Sequence, residues 1–336
     1  DTNNGITLTA TGADSDIIVT TLTAQNTADI TLNSDRDVLD SDSADMNLTT
    51  GDLLTIVAGR NIGGITSIFT EAGFDPLQTS VDHLDLTSGN IIAIHNTGTT
   101  PELINLDAGT GTAGTTFIKA TGGALDASTT TGISNTQDTI GFVSDVSITV
   151  PTGLQTANLR LDAPDIIDAG GGNIDINAVD AILFQSTSAE TVEITAQQFD
   201  GTATGSDFNI LNDSPALELV DLNADSMALT GGTDTNVSLT SAGSITVTNL
   251  VQTLGTGTLF LETTNTDGDL ILNQNIQSGT GSVTIETADD IIFNGSTNLV
   301  STSGSVMLTA DADSGAGGLF GGITMSDGSF INAGDG

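Results

Sequence analysis

Gly281-Ser-Val-Thr-Ile285 and Gly304-Ser-Val-Met-Leu308 carry the pattern that organises this chain: a small or turn-forming start, then an apolar, a polar and an apolar residue. Side chains of an extended strand alternate between its two faces, so each triplet predicts a short strand with one buried face. The fold is therefore expected to be all-β. The same pattern recurs at 5–8, 29–32, 45–48, 83–86, 173–176 and 236–239.

The spacing of the triplets predicts how the strands are arranged. They recur about every 8 to 14 residues through much of the chain, and about every 16 to 19 residues between 174 and 245. Two or three short strands in each step of about 20 residues are typical of a solenoid coil. A stack of immunoglobulin-like sandwiches is the alternative. The shortness of the strands, the scarcity of Asn-Gly and Asp-Gly hairpin turns and the absence of Trp and Tyr favour the parallel β-solenoid.

The composition of the 336 residues excludes several classes of partner. An apolar share of 37% supports a folded core despite a net charge of -39. The only basic residues, Arg36, Arg60, Lys119 and Arg160, are scattered and cannot neutralise a row of phosphates, which excludes nucleic acid. No apolar run reaches the about 18 residues that a membrane span needs, so no membrane insertion is expected. Cysteine is absent, which excludes disulfides and thiolate metal sites.

The triplets continue from one end of the chain to the other, which predicts a single solenoid segment over 1–336. At about 20 residues per coil this makes on the order of 17 coils and a rod of about 80 Å. The pattern fails at 58–81 and at 107–145, which we interpret as loop excursions or irregular coils, with a short helix at 67–72. The chain starts at Asp1 without an apolar leader and stops at Gly336 in mid-pattern, which indicates a processed product or a piece of a longer protein.

Calcium is the ligand that the acidic residues indicate best. The acidic excess is almost entirely Asp, and Asp-x-Asp pairs occur where turns are expected, so paired carboxylates and backbone carbonyls supply the oxygens that a hard cation prefers. The glycines of 169–175 and Asp175 are similar to the glycine and aspartate pattern of calcium-binding nonapeptide rolls, and this pattern occurs once in the chain. Solvated turns without a cation are nevertheless the favoured interpretation of these aspartates, with calcium as the alternative, and no cofactor is required. The candidate ligands are Asp14, Asp16, Asp35, Asp37, Asp40, Asp42, Asp311 and Asp313.

Catalytic motifs are not expected. Only His83 and His95 offer an imidazole base, and neither is accompanied by a Gly-x-Ser-x-Gly elbow or a phosphate-binding glycine loop. A solenoid can act as a polysaccharide hydrolase or lyase, but a lyase also needs basic residues near its substrate, and the four cations are scattered. The sequence therefore predicts a protein that is not an enzyme, with polysaccharide degradation as the remaining catalytic alternative.

The C-terminal half resembles a known group of repeats. Gly257-Thr-Leu-Phe-Leu261 and Gly268-Asp-Leu-Ile-Leu272, followed by the two segments quoted first, are similar to the filamentous-haemagglutinin-like and related β-strand repeats of very large bacterial surface proteins. The resemblance is clearest over 157–336. It implies a right-handed parallel β-helix, export to the cell surface and a fibrous or adhesive role.

These observations predict an extracellular or cell-surface location and a structural fibre built from stacked coils. Neither end of the chain has the sequence of a cap, so the expected partners are other copies of the chain or further solenoid segments, joined end to end. The alternative is an adhesin whose solenoid presents the loops 58–81 or 107–145 to a surface glycan or protein.

Overall fold

The structure is a computed structural model that describes residues 5–25, 27–41, 47–99, 101–109, 113–133, 136–188, 190–205, 207–312 and 321–334. Within these ranges the regular elements are β-strands, and they pair in parallel into ladders. The prediction of an all-β parallel solenoid is confirmed. The chain divides into two compact units, Asp1–Gly172 (unit 1) and Asn173–Gly336 (unit 2).

Unit 1 contains three parallel ladders. The first joins β1, β4, β7, β10, β12, β14, β16 and β18, the second joins β2, β5, β8, β11, β13, β15 and β17, and the third joins β3, β6 and β9. The strands are β1 Ile6–Ala10, β2 Ile17–Val19, β3 Leu22–Thr23, β4 Ile30–Ser34, β5 Asp37–Asp40, β6 Leu48–Thr49, β7 Leu53–Ala58, β8 Asn61–Ile62, β9 Leu77–Ser80, β10 His83–Ser88, β11 Ile91–Asn96, β12 Glu102–Ala108, β13 Thr115–Ala120, β14 Leu125–Asp126, β15 Thr139–Ser144, β16 Ser147–Val150, β17 Leu154–Asp162 and β18 Asp165–Asp168.

Unit 2 begins with a long strand, β19, that pairs first with β20 and then with β21. From β22 onwards each coil has three strands, and each strand pairs with the third strand after it. The strands are β19 Ile174–Ser186, β20 Glu190–Thr195, β21 Gln198–Ala203, β22 Phe208–Asn212, β23 Ala216–Leu219, β24 Met227–Thr233, β25 Val237–Ser241, β26 Ser244–Val247, β27 Leu250–Leu254, β28 Leu259–Thr263, β29 Leu270–Leu272, β30 Ile276–Ser278, β31 Val283–Glu286, β32 Ile291–Phe293, β33 Asn298–Ser301, β34 Val306–Thr309, β35 Ile323–Met325 and β36 Phe330–Asn332.

The register places apolar residues above one another in the interior. Leu259 pairs with Val283, 24 residues later, and both are fully buried. The coils do not all have the predicted length of about 20 residues. Ile148 pairs with Ile166 after 18 residues, whereas Ile291 pairs with Ile323 after 32. The difference in coil length lies in the segments between the strands, because only the strands must stay in register.

The glycine at the start of the repeated pattern is required by the close approach of successive coils. A Cβ atom on Gly281 would lie 2.0 Å from the carbonyl oxygen of Gly257 in the preceding coil, and one on Gly304 would lie 2.3 Å from that of Gly281. Buried hydroxyl groups donate hydrogen bonds to the carbonyl oxygens of the same turns. Ser301 Oγ, for example, donates to Gly281 O at 2.8 Å. Only glycine permits the turns of successive coils to stack this closely.

The excursion predicted at 58–81 contains β8 and β9, and residues 63–76 between them leave the coil. The segment 63–76 covers the outer side of the second ladder, where Ile65 and Ile68 are buried with Ala93 and Phe117. The helix predicted at 67–72 is wrong. The backbone N–H groups of Thr66 and Ser67 both donate to Ala72 O, at 2.8 and 3.2 Å, which closes a turn instead.

The range 107–145 supplies β13, β14 and β15, of which β13 and β15 pair in register over six residues. The pattern fails here because both faces of these strands are covered: Ile118 points into the coil, and Phe117 points outwards beneath the segment 63–76. Two covered faces remove the alternation on which a sequence reading of strands depends. The described part of the chain contains no helix long and apolar enough to cross a membrane.

Candidate functional site

Four of the eight aspartates predicted to bind calcium lie near arginines or backbone donors in unit 1. Arg36 Nε lies 3.3 Å from Asp16 Oδ1 and 3.4 Å from Asp37 Oδ2, and its Nη1 lies 3.9 Å from Asp14. Arg60 also hydrogen-bonds to Asp37, while Asp35 accepts a bond from the N–H of Gly12 at 2.6 Å. Burial acts to raise the pKa of Asp37, but the Arg60 bond and charge outweigh it and hold that pKa below its ordinary value.

Of the other four aspartates, the structure describes Asp40 and Asp311. Asp40 Oδ1 accepts a bond from Asn47 Nδ2 at 2.8 Å. Asp311 lies in a turn with a positive φ of 61°. Asp42 and Asp313 lie outside the described residues.

The structure gathers a different acidic cluster in unit 2. Ligand oxygens of Asp269, Asp289 and Asp290 lie within 4.8 Å of one another. Burial, followed by the charges of Asp290 and Asp269, raises the pKa of Asp289. The sequence could not show this cluster, because Asp269 and Asp290 belong to successive coils and meet only through the register.

A second acidic feature of unit 2 is the turn 221–226, between β23 and β24. Asp221 accepts bonds from the backbone N–H groups of Ala224, Asp225 and Ser226, at 2.6, 3.1 and 2.7 Å. Beneath the turn, Asp200 is buried and accepts a bond from the N–H of Leu222 at 2.7 Å. Burial raises the pKa of Asp200 to about 7.

The two histidines occupy different surroundings in unit 1. His83 lies between carboxylates, with Nδ1 3.5 Å from Asp52 and Nε2 3.4 Å from Glu102. His95 Nε2 lies 3.0 Å from Thr121 Oγ1. Burial, together with the charge of Lys119, lowers the pKa of His95.

A groove marks one corner of unit 2. Two adjoining concavities of about 510 and 380 Å³ share Gln197 and Ala216 in their linings. We call this surface the corner groove and define it by Val179, Asp180, Gln197, Gln198, Ala216 and Glu218. It lies outside both excursions that the sequence indicated as binding loops.

The chain was compared with protein-family models, curated proteins and solved structures. None of them matches.

These features differ in the chemistry that they support. The acidic cluster presents oxygens suited to a cation. In the turn 221–226, Asp221 already accepts three backbone bonds, with which a cation would have to compete. The candidates Asp14, Asp16, Asp35 and Asp37 already have guanidinium or backbone donors as partners, with which a cation would have to compete. The corner groove combines apolar floor residues with carboxylate and amide side chains, a combination typical of small-molecule sites.

Proposed function

We propose that this chain is a segment of an extracellular structural fibre or cell-surface filament, and that its role is mechanical and not catalytic. The observation that carries the proposal is the register of the parallel ladders within each unit. Apolar residues such as Leu259, Val283 and Ile285 stack in the interior, while backbone N–H and C=O groups bond to the neighbouring coil. The resemblance to bacterial surface repeats supports the location.

Coil-to-coil pairing suits a mechanical role. A protease needs a strand that can be separated from its neighbours, and a parallel ladder offers such strands only where it ends. The interior stack also distributes a pulling force over many short strands, each held by its neighbours on both sides. A fibre outside a cell has to resist both proteolysis and pulling force.

We further propose that the partners are solenoid coils, supplied by other copies or by further segments of the same kind. Ile323 and Met325 continue the interior positions of Ile291 and Phe293 but are 46% and 41% exposed. In unit 1, Leu8 of β1, the first strand of its ladder, continues the position of Leu32 and is 41% exposed. Another coil placed on these strands would cover the apolar residues and pair the open backbone groups.

Electron microscopy of the purified chain tests both parts of this proposal. We expect thin filaments or rods that resist protease and whose length increases with protein concentration. The variant Ile323→Lys should abolish the increase in length, because it places a charge in the stacked interior. Met307→Lys is the matched control, since Met307 is 48% exposed but lies on the outer face, opposite Thr284 in the register.

Two results would contradict the proposal. Protease-sensitive globules would remove the structural role. Equal filament growth by both lysine variants would remove the end-to-end contact while leaving a structural role for the individual chain.

A further inference from the structure

We propose that the corner groove of unit 2 binds a neutral oligosaccharide, aligned with the direction in which the coils stack. This inference is independent of the mechanical role, because it rests on one surface of unit 2 and not on the ends of the ladders.

The groove is built from the corners of three successive coils. β19 changes its partner from β20 to β21 at 178–180, the next coil turns at 196–197 between β20 and β21, and the third turns at 213–215 between β22 and β23. Parallel strands are about 4.8 Å apart, so the three corners span about 10 Å, which suits a di- or trisaccharide.

The floor and one wall of the groove have different chemistry. Val179 is 44% exposed although it is apolar, and Pro215 and Ala216 are exposed beside it. The wall is a row of outward side chains in register, in which Gln198 pairs with Glu218 and Glu218 with Thr246. An apolar floor next to a polar wall matches a sugar ring, which has C–H faces and hydroxyl edges.

The polar side chains are already oriented. Gln198 Nε2 donates to Glu218 Oε2 at 3.2 Å, and Gln197 Nε2 donates to Val179 O at 3.2 Å. Carboxylate and amide oxygens held in this way accept bonds from hydroxyl groups, and their orientation reduces the entropy lost on binding.

The same residues disfavour other ligands. A peptide that adds to a sheet needs an open edge, but here Gln197 N donates to Asp180 O at 3.1 Å and Glu218 N donates to Gln197 O at 2.9 Å. An anionic glycan or a phosphate would meet the carboxylates of Asp180 and Glu218, and no basic side chain is among the described residues that line the groove. A ligand with uncharged hydroxyls avoids both obstacles.

Titration calorimetry with neutral trisaccharides tests the inference. The probes are cellotriose, maltotriose, mannotriose and chitotriose, with trigalacturonic acid as the anionic comparison. We expect at least one neutral probe to bind in the millimolar range or more tightly, and trigalacturonic acid not to bind. Gln198→Ala and Glu218→Ala should each weaken the affinity about fivefold to tenfold, the effect of one hydrogen bond.

Gln277→Ala is the matched control, because Gln277 also faces outwards and its amide Nε2 donates to Gln252 Oε1 at 3.0 Å, on a different face of unit 2. Its affinity should equal that of the unmodified chain. The inference is overturned if no neutral probe binds at concentrations up to about 10 mM. It is also overturned if the Gln198 and Gln277 variants lose affinity equally, or if a lysine-rich peptide binds the groove and the neutral probes do not.

Discussion

Val283 and Thr284 are adjacent in β31 but lie on opposite faces of the strand. Val283 is fully buried between Leu259 and Val306 of the neighbouring coils, and Thr284 lies on the outer face. We predict that Val283→Asp lowers the free energy of unfolding by about 3 kcal/mol or more, because it buries an unpaired charge. Thr284→Asp should cost about 0.5 kcal/mol.

Urea denaturation of the two variants measures this difference. The unmodified chain provides the reference, and the circular dichroism of each variant confirms that it starts from the same β-structure. Equal losses at the two positions would mean that the inward face of β31 has been assigned to the wrong residues.

Asp200 provides a prediction about pH. Its pKa is raised from 3.8 to about 7 by burial, and the carboxylates of Asp221 and Asp225 face it. Between these two values the folded chain holds a proton that the unfolded chain has lost, so stability falls as pH rises, by about 1.4 kcal/mol per pH unit from this group alone.

Asp200→Asn removes this titration. We predict that the difference in unfolding free energy between the variant and the unmodified chain shifts in favour of the variant from about pH 4 to about pH 7 and is constant above that range. Urea denaturation at a series of pH values measures the shift. A difference that does not vary with pH would show that Asp200 ionises in its ordinary range.

At the scale of elements, Arg160 links the segment 63–76 to the second ladder. Arg160 Nη1 donates to Ile68 O at 2.8 Å, its Nη2 lies 3.0 Å from Glu71 Oε1, and its guanidinium lies 5.7 Å from the centroid of the Phe117 ring. Burial acts to raise the pKa of Glu71, but Lys119 and Arg160 outweigh it and lower that pKa.

We predict that Arg160→Ala releases this segment. The unfolding free energy should fall by about 2 to 4 kcal/mol, because the carbonyls of Ile68 and Phe69 and part of the Glu71 charge lose their partner. Hydrogen exchange of the amides in 64–75 should become faster. Arg36→Ala is the control, since Arg36 pairs with Asp16 and Asp37 away from the segment. Unchanged exchange in the Arg160 variant would show that Ile65 and Ile68 suffice to hold the segment.

The net charge of -39 acts on the whole molecule. Because like charges repel one another in the compact state, sodium chloride should raise the melting temperature by screening. We predict a larger rise with millimolar calcium at matched ionic strength, because a divalent cation bridges carboxylates such as Asp269, Asp289 and Asp290. Differential scanning calorimetry with chelator as the reference measures both effects. Equal shifts with the two salts would contradict the calcium hypothesis.

The sequence alone determined the class of fold. The alternation in Gly281-Ser-Val-Thr-Ile285 is a local property, and it assigned Val283 and Ile285 to the interior as the structure has them. It also placed glycine at the turn, where Gly281 stacks on Gly257. The alternation gave no such assignment for β13 and β15, because the segment 63–76 covers their outer face and apolar residues then occupy both sides.

Tertiary structure decided which side chains meet across the coils. Asp269 and Asp290 form one cluster, Asp37 pairs with Arg60, and Gln198 pairs with Glu218, although 20 or more residues separate the members of each pair. The corner turns set how many residues each coil contains, from 18 to 32 in the registers described above. A change in the length of one turn changes which residues of the next strand pair with the neighbouring coils. The alternation that identifies a strand is unaffected by that shift, which is why the sequence predicted the ladders and only the folded chain fixed the acidic cluster and the corner groove.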